Sequence, residues 1–388
     1  MSAAITSTLD SFLAPYHDTL FTAYDLAVLH QGDLVYHSAT RPGLLFDFAS
    51  LTKLFTTTAF LALVSAGKTS LNVPLMQVIP EFEDLSLRSV DGGQDPHSKE
   101  HLPTPPERLH ETVNPIFVTF WHLLTHTSGL PAWRDVYNAA GAAPLPPDQP
   151  DPIPRLIRYG RGLNALVRYP FVAQPGEGVL YSDVGLMLLG EATARINRTP
   201  AELDRTIQAL VLDPLKLNTI MFNPVSEHGL PLDATAPTEI DSTWRKRRVL
   251  GEVHDENACG IGGVAGHAGL FGTALDVAAF AHAWQINAVP GVDPALIKQA
   301  ISQQAETNGE RRGLGWMLRS YQGSSAGDLF SRDAYGHTGF VGNSVWIDPE
   351  QDLIVVCLTN NVYFGREKRG IIAFRRALHD LVWKTLCA

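Results

Sequence analysis

Phe46-Asp47-Phe48-Ala49-Ser50-Leu51-Thr52-Lys53 leads directly into Leu54 to Ala66, an apolar, helix-compatible run that Gly67 ends. Glycine just past a last helical turn is the common stop. Ser50 therefore falls near the N-terminus of a buried helix, with Lys53 three residues on and on the same face. A serine hydroxyl is a poor nucleophile until a base takes its proton. A lysine one turn away can serve if it is kept neutral, because desolvation lowers a lysine pKa by up to roughly 3–5 units. Phe48, Leu51, Leu54 and Phe55 would supply apolar surroundings. The helix start adds free N–H groups and a positive dipole end, both suited to an oxyanion.

The same spacing recurs at Ser65-Ala66-Gly67-Lys68, at the far end of the same helix. There the dipole is negative and Gly67 breaks the turn, so this copy reads as a helix terminus. Gly67-Lys68-Thr69 also imitates the end of a phosphate-binding loop. That motif needs a glycine at position 62, which is alanine.

The chain has 388 residues, 45% hydrophobic and 18% charged, and a formal net charge of −10. This composition describes a globular protein of one large domain or two intertwined ones. The acidic balance argues against nucleic acid as a partner. The one basic run, Arg245-Lys246-Arg247-Arg248, reads as a solvated loop or a local salt-bridge patch. Cys259, Cys357 and Cys387 are too few and too scattered for a disulfide framework or a zinc motif. Met1 to Leu20 holds no Lys or Arg, unlike a signal peptide, and no stretch approaches membrane-span length. A cytoplasmic location is the expectation, with a periplasmic or secreted one if the sequence was cut from a longer precursor.

After an amphipathic opening helix, Tyr24–Leu29 and Leu34–His37 read as strands around the turn Gln31-Gly32-Asp33. From about residue 70 to 250 the patterns are mostly helical, cut by long loops at Gln94–Arg108 and at Gly141–Pro154, which holds six prolines. Such loops often shape a binding site. Helices are expected over Val118–Thr125 and Asp183–Ile196. Beyond Gly260, Gly-rich turns alternate with short apolar strands at Gly269–Gly272, Gly313–Arg319, Asn343–Ile347 and Leu353–Thr359. Asp348 to Asp352 is the turn between the last two, and Arg369–Thr385 a closing helix. Strands at both ends with a helical middle predict an α/β (α+β) chain. One antiparallel sheet domain would be built from residues 1–70 and 255–388, a mostly helical domain from 71–254, and the active site would lie between them.

Two further segments join the serine motif: Tyr181-Ser182-Asp183 before a helix, and Gly336-His337-Thr338-Gly339 before the strand hairpin. In order and spacing the three segments resemble the S-x-x-K, Y-x-N and K-T-G or H-T-G motifs of the class C β-lactamase and penicillin-binding-protein-like serine hydrolases. The likeness extends over Leu123–Pro131 and Gly262–Phe271 and covers nearly the whole chain. It implies a β-lactamase/transpeptidase-like fold. It also implies Ser50 as acylated nucleophile, Lys53 as base or proton relay, and Tyr181 as second base or leaving-group acid. The N–H groups of Ser50 and Phe340 would form the oxyanion hole, and Asp183, His337, Thr338 and Gly339 would meet substrate.

Two positions depart from the commonest patterns. Asp183 replaces an amide by a carboxylate, which offers no N–H and favours a protonated Lys53. His337 replaces a permanently charged lysine that a substrate carboxylate would use. Esters, amides and D-amino-acid peptides stay open as substrates, and efficient β-lactam hydrolysis is disfavoured. A D-aminopeptidase, a DD-carboxypeptidase or a true class C β-lactamase remain alternatives. Outside that class stand a catalytically silent ligand-binding protein on the same fold and a metal-dependent hydrolase using the histidines.

Other motifs fit less well. Gly323-Ser324-Ser325-Ala326-Gly327 has the nucleophile-elbow spacing but sits in a polar, loop-like stretch. Gly260–Ala265 imitates a dinucleotide fingerprint without a preceding strand. His122 and His126 have helical i, i+4 spacing but no following Glu, and read as core or supporting histidines. No cofactor and no metal is expected, and the partner is a small-molecule or peptide substrate. His254, Asp255 and His267 could line the cleft or serve hydrogen bonding alone.

Overall fold

The computed structural model describes residues 3–83, 87–367 and 370–388. The strands are β1 (Tyr24–His30), β2 (Asp33–Ala39), β3 (Phe46–Asp47), β4 (Met221–Phe222), β5 (Leu270–Gly272) and β6 (Ala305–Thr307). They continue with β7 (Glu310–Arg312), β8 (Met317–Leu318), β9 (Tyr335–Thr338), β10 (Ser344–Asp348) and β11 (Leu353–Thr359). One eight-stranded sheet runs in the order β6-β7-β8-β9-β10-β11-β1-β2, and β3-β5-β4 form a small second sheet. Every pairing in the large sheet is antiparallel, and Tyr24 to His30 lie opposite Thr359 to Leu353. Chain ends some 330 residues apart in sequence thus share one ladder.

Strand β11 shows why the sheet is buried on both sides. Leu353, Val355 and Cys357 face one core cluster, and Ile354, Val356 and Leu358 face the other. Alternate side chains leave a strand on opposite faces, so a strand covered twice is apolar throughout. The first face is packed by α1 (Ala3–Leu13), through Ile5 and Leu9, and by the closing helix Ile371–Leu386, through Phe374 and Leu378. The second face meets the helix Ala274–Gln285 and, beyond it, α2 (Thr52–Ser65). All residues of α2 from Thr52 to Leu63 are buried, as expected for a helix apolar on every side.

Strands near both ends of the chain, β1 and β2 with β6 to β11, share the large sheet, and β1, β11 and the helix Asp183–Ile196 match or nearly match their expected limits. Other expectations need correction. Residues 71–254 are not mostly helical. Their longest helices are Arg155–Leu166 and Asp183–Ile196, and the rest is largely turn and loop, as the prolines there dictate. The expected strand Gly313–Arg319 shrinks to Met317–Leu318. Arg369, the expected start of the closing helix, lies outside the described residues. The helix Ala274–Gln285 and strands β6 and β7 were not anticipated. The basic run is consumed locally: Arg245 donates to the carbonyls of Val253 and His254, and Arg247 pairs with Glu252 at 2.9 Å. Among the described residues no helix is long and apolar enough to cross a membrane.

Candidate active site

Ser50 lies in a 3-10 turn, Ala49–Leu51, that feeds directly into α2. Ala49, just before it, has φ +47°, a left-handed conformation that non-glycine residues pay for and that clusters at functional sites. Asp47 holds this bend. One carboxylate oxygen accepts from Ala49 N–H at 2.8 Å and the other from His254 N–H at 2.6 Å. One turn on, Lys53 is fully buried, and its Nζ donates to Ser50 Oγ at 2.8 Å and to the His267 carbonyl at 3.1 Å. Its charge is met by Asp183, Nζ to Oδ1 2.7 Å, and it lies 4.8 Å from the centre of the Tyr181 ring.

Tyr181 and Asp183 are delivered by the start of α3 (Asp183–Ile196). Ser182 caps that helix, accepting from Gly185 N–H at 2.9 Å while donating to the Pro131 carbonyl at 2.7 Å. Ser182 N–H donates to His126 Nδ1 at 3.0 Å, and Asp183 N–H to the Ala132 carbonyl. The stretch Leu123–Pro131 therefore clamps the two functional residues. His126 is a supporting histidine, as its sequence context suggested. The second stretch, Gly262–Phe271, lies against α3 so closely that a Cβ on Gly266 would fall 2.1 Å from the Leu186 carbonyl. It carries the His267 carbonyl to Lys53.

Strand β9 completes the wall. A Cβ on Gly339 would lie 2.7 Å from the Phe48 carbonyl, so only glycine lets the strand end approach the Ser50 turn. Asn343 ties the two together, donating to the Asp47 carbonyl at 2.7 Å. Buried Arg375 gathers the turn by donating to the carbonyls of Gly339, Gly342 and Asn343. Burial without a carboxylate partner lowers its guanidinium pKa to about 10.

Burial opposes the Lys53 charge, yet Asp183 and Tyr181 outweigh it and the ammonium pKa is raised. Burial raises the Tyr181 phenol, and Lys53 offsets only part of that. At neutral pH Lys53 therefore rests as an ammonium, 2.7 Å from Asp183 Oδ1, and Tyr181 as a neutral phenol. Asp255 accepts from His267 Nε2 and from Ala258 N–H. Burial would raise its carboxyl pKa, but His267 and that N–H hold it far below the usual range.

The cleft is lined by Ser50, Tyr181, Asp183 and Phe340, and also by His254, Asp255 and His267. His337 is placed differently from the expectation. It is 1% exposed, does not line the cleft, and donates from Nδ1 to the Thr338 carbonyl at 2.8 Å. Burial keeps its imidazole neutral. The strand alternation that turns Thr338 one way turns His337 under Tyr181, their rings 6.0 Å apart. His337 therefore cannot meet a substrate carboxylate.

His254, Asp255 and His267 line the cleft, one of the two readings the sequence left open, whereas sequence reasoning missed His97 and Arg366. His97 and His254 each stack on Phe340, ring centres 6.0 and 5.6 Å away. Arg366 lines the cleft but is held by Glu239 at 2.8 Å and Glu256 at 2.6 Å. Lys99 is also paired with Glu256. The long loop containing His97 and Lys99 was the one usable signal. Nothing near Arg366 in sequence marks it.

Asp183, Asp255 and His267 offer ligand atoms within 4.8 Å of one another, the one grouping among the described residues that could hold a metal. All three are engaged, Asp183 by the Lys53 ammonium and Asp255 by His267, so a dication would have to displace an ammonium. His122 Nδ1 meets the Thr119 hydroxyl in the cap of its own short helix. The elbow-like Ser325 accepts from Trp346 Nε1.

A profile of the family described as Beta-lactamase matches residues 19–379. A protein of Escherichia coli (strain K12) named "Putative D-alanyl-D-alanine carboxypeptidase" is 28% identical over 387 residues, 91% of this chain and 81% of its own length. Its Salmonella agona counterpart is also 28% identical, over 364 residues, 89% of this chain and 76% of its own. Among solved structures, the hydrolase EstCE1 superposes with a TM-score of 0.69 at 18% identity, covering 96% of this chain and 98% of that one. A class C β-lactamase gives 0.65 at 16% identity, with 97% of each chain covered. At these identities the structures establish the fold, and the family match over nearly the whole length decides membership: the chain is a serine hydrolase of the Beta-lactamase family.

Proposed function

We propose that the protein is an acyl hydrolase in which Ser50 is transiently acylated, with esters and amides preferred over β-lactams. The observation that carries this is the 2.8 Å contact between Ser50 Oγ and Lys53 Nζ at the floor of a cleft shared with Tyr181. Ser50 attacks the carbonyl while its proton leaves along the contact with Lys53, which must give up a proton of its own to receive it. The N–H groups of Ser50 and Phe340 receive the developing oxyanion, where fixed donors in a dry site act most strongly. Tyr181, resting as a phenol, protonates the leaving group, and water then releases the acyl group by the reverse path.

The preference follows from charge. A substrate carboxylate needs a free cation, and among the described residues Arg366, which lines the cleft, and Lys53 and Lys99 beside it are each paired with a carboxylate. The curated relatives favour a second reading, a D-alanyl-D-alanine carboxypeptidase, in which Arg366 would leave Glu239 and Glu256 to take the peptide's terminal carboxylate. Comparing kcat/KM for p-nitrophenyl acetate, a D-Ala-D-Ala peptide and a chromogenic cephalosporin tests both. The ester is expected to exceed the cephalosporin by tenfold or more. A cephalosporin handled as well as the ester would contradict the preference, and a peptide handled best would select the second reading.

A further inference from the structure

Three atoms follow one another from the nucleophile into the protein: Ser50 Oγ, Lys53 Nζ at 2.8 Å, and Asp183 Oδ1, in ion-pair contact at 2.7 Å from Nζ but not aligned as a hydrogen-bond acceptor in the resting site. Lys53 is buried and already an ammonium, with no lone pair for the serine proton. Tyr181 is a neutral phenol. A base is missing from the resting site unless a third group takes a proton. Asp183 is the carboxylate in contact with Lys53. Asp255 also lies close, but its described contacts, both through Oδ1, are with His267 and Ala258 N–H, and the Lys53 ion pair is with Asp183.

We propose that Asp183 is the far end of a proton relay, taking a proton from Lys53 as Lys53 takes one from Ser50. The inference rests on the acyl-hydrolase reading above. As the Ser50 Oγ–carbon bond forms, the Oγ–H bond breaks and a new N–H forms on Lys53. At the same time one Lys53 N–H breaks and an O–H forms on Asp183. When the acyl bond to the leaving group breaks, Tyr181 gives that group its proton. Asp183 then returns the stored proton through Lys53 to the Tyr181 oxygen. The net result is one serine proton delivered to the leaving group, with ammonium, carboxylate and phenol restored. Asp183 touches no reacting atom and acts through Lys53, as a positioning residue for its proton.

Other titratable groups surround this line. Tyr181, Asp255 and His267 share the cleft side. His126 and His337 lie behind and are kept neutral by burial, and Arg312 sits over the Tyr181 ring. Of these, Tyr181 is the group that reaches Ser50 and Lys53, and it rests as the phenol. A carboxamide at position 183 could accept no proton, so the relay needs the aspartate that departs from the family pattern.

Burst kinetics with p-nitrophenyl acetate at pH 7 separate the possibilities. Asp183→Asn, close in shape, is expected to acylate at least 100-fold more slowly. Its solvent proton inventory should turn linear where the wild type is curved by two protons in flight, and Asp183→Glu should keep the curvature. Without Asp183, Lys53 loses the larger of the two groups that favour its charge, and burial weighs more heavily toward the neutral amine. An Asn variant as fast as or faster than wild type would therefore mean that neutral Lys53 is the whole base, and would overturn the relay. A slow Asn variant with a curved inventory would overturn it too. Ser50→Ala is the control for the reading beneath: a burst that vanishes leaves that reading standing whatever Asp183 does, and a burst that persists refutes it.

Discussion

At the scale of single residues, the site is a problem of where one proton goes. Lys53 and Tyr181 are the ionisable side chains among the described residues that hydrogen-bond Ser50 Oγ. Each deletion should therefore be felt in turnover far more than in folding. Lys53→Ala is expected to lower kcat/KM for an aryl ester by on the order of 10³-fold or more, as when a member of a nucleophile–base unit is lost. Tyr181→Phe should cost about 10²-fold, in the range of a positioned acid or base. Steady-state kinetics alongside thermal unfolding check both. A Lys53→Ala enzyme with near-normal turnover at neutral pH would mean that another base operates.

At the scale of elements, the site depends on how closely β9 approaches the Ser50 turn. Gly339→Ala would drive a Cβ into the Phe48 carbonyl at 2.7 Å, and backbone rather than a flexible side chain must yield. The strand end carries Phe340, so the variant should fold but label with a fluorophosphonate about 10²-fold more slowly, the effect of roughly 1 Å of misplacement. Labelling at the wild-type rate would show that this approach does not set the oxyanion geometry.

The same scale shows what was legible beforehand. Strand β11 and the helix Asp183–Ile196 could be read because their apolar runs are long and sharply bounded. Strands β6 and β7 are three residues each and carry charge, as in Glu310–Arg312, and β8 is the apolar pair Met317–Leu318, all too short for any periodicity to emerge. The serine, lysine and tyrosine were visible through spacing. The burial of His337 was not, because which face of β9 it occupies depends on pairing with Val345 in a strand met only after folding. Arg366 reaches the cleft through contacts more than 100 residues away in sequence, with Glu239 and Glu256.

Across the whole molecule, the core carries histidines that fold neutral. Burial lowers the pKa of His126 and His337 well below the ordinary value, and that of His379 to about 4. In the unfolded chain each binds a proton below about 6.5. The unfolded state therefore holds more protons at mildly acid pH, and stability falls as pH drops below 6.5. For His379 the loss continues down to about pH 4. With three such groups the slope approaches about 4 kcal/mol per pH unit. Urea unfolding at pH 7.5, 6.0 and 5.0 should show the midpoint falling steeply, and His379→Gln should flatten the slope by about a third. A midpoint unchanged between pH 7.5 and 5.0 would contradict the burial of neutral histidines.

The account as a whole stands on Ser50 as the nucleophile. Intact-protein and peptide mass spectrometry after reaction with a fluorophosphonate tests it most directly. One adduct is predicted, on Ser50, absent in Ser50→Ala and retained in Ser65→Ala and Ser325→Ala. An adduct on any other residue, or undiminished labelling of Ser50→Ala, would contradict it.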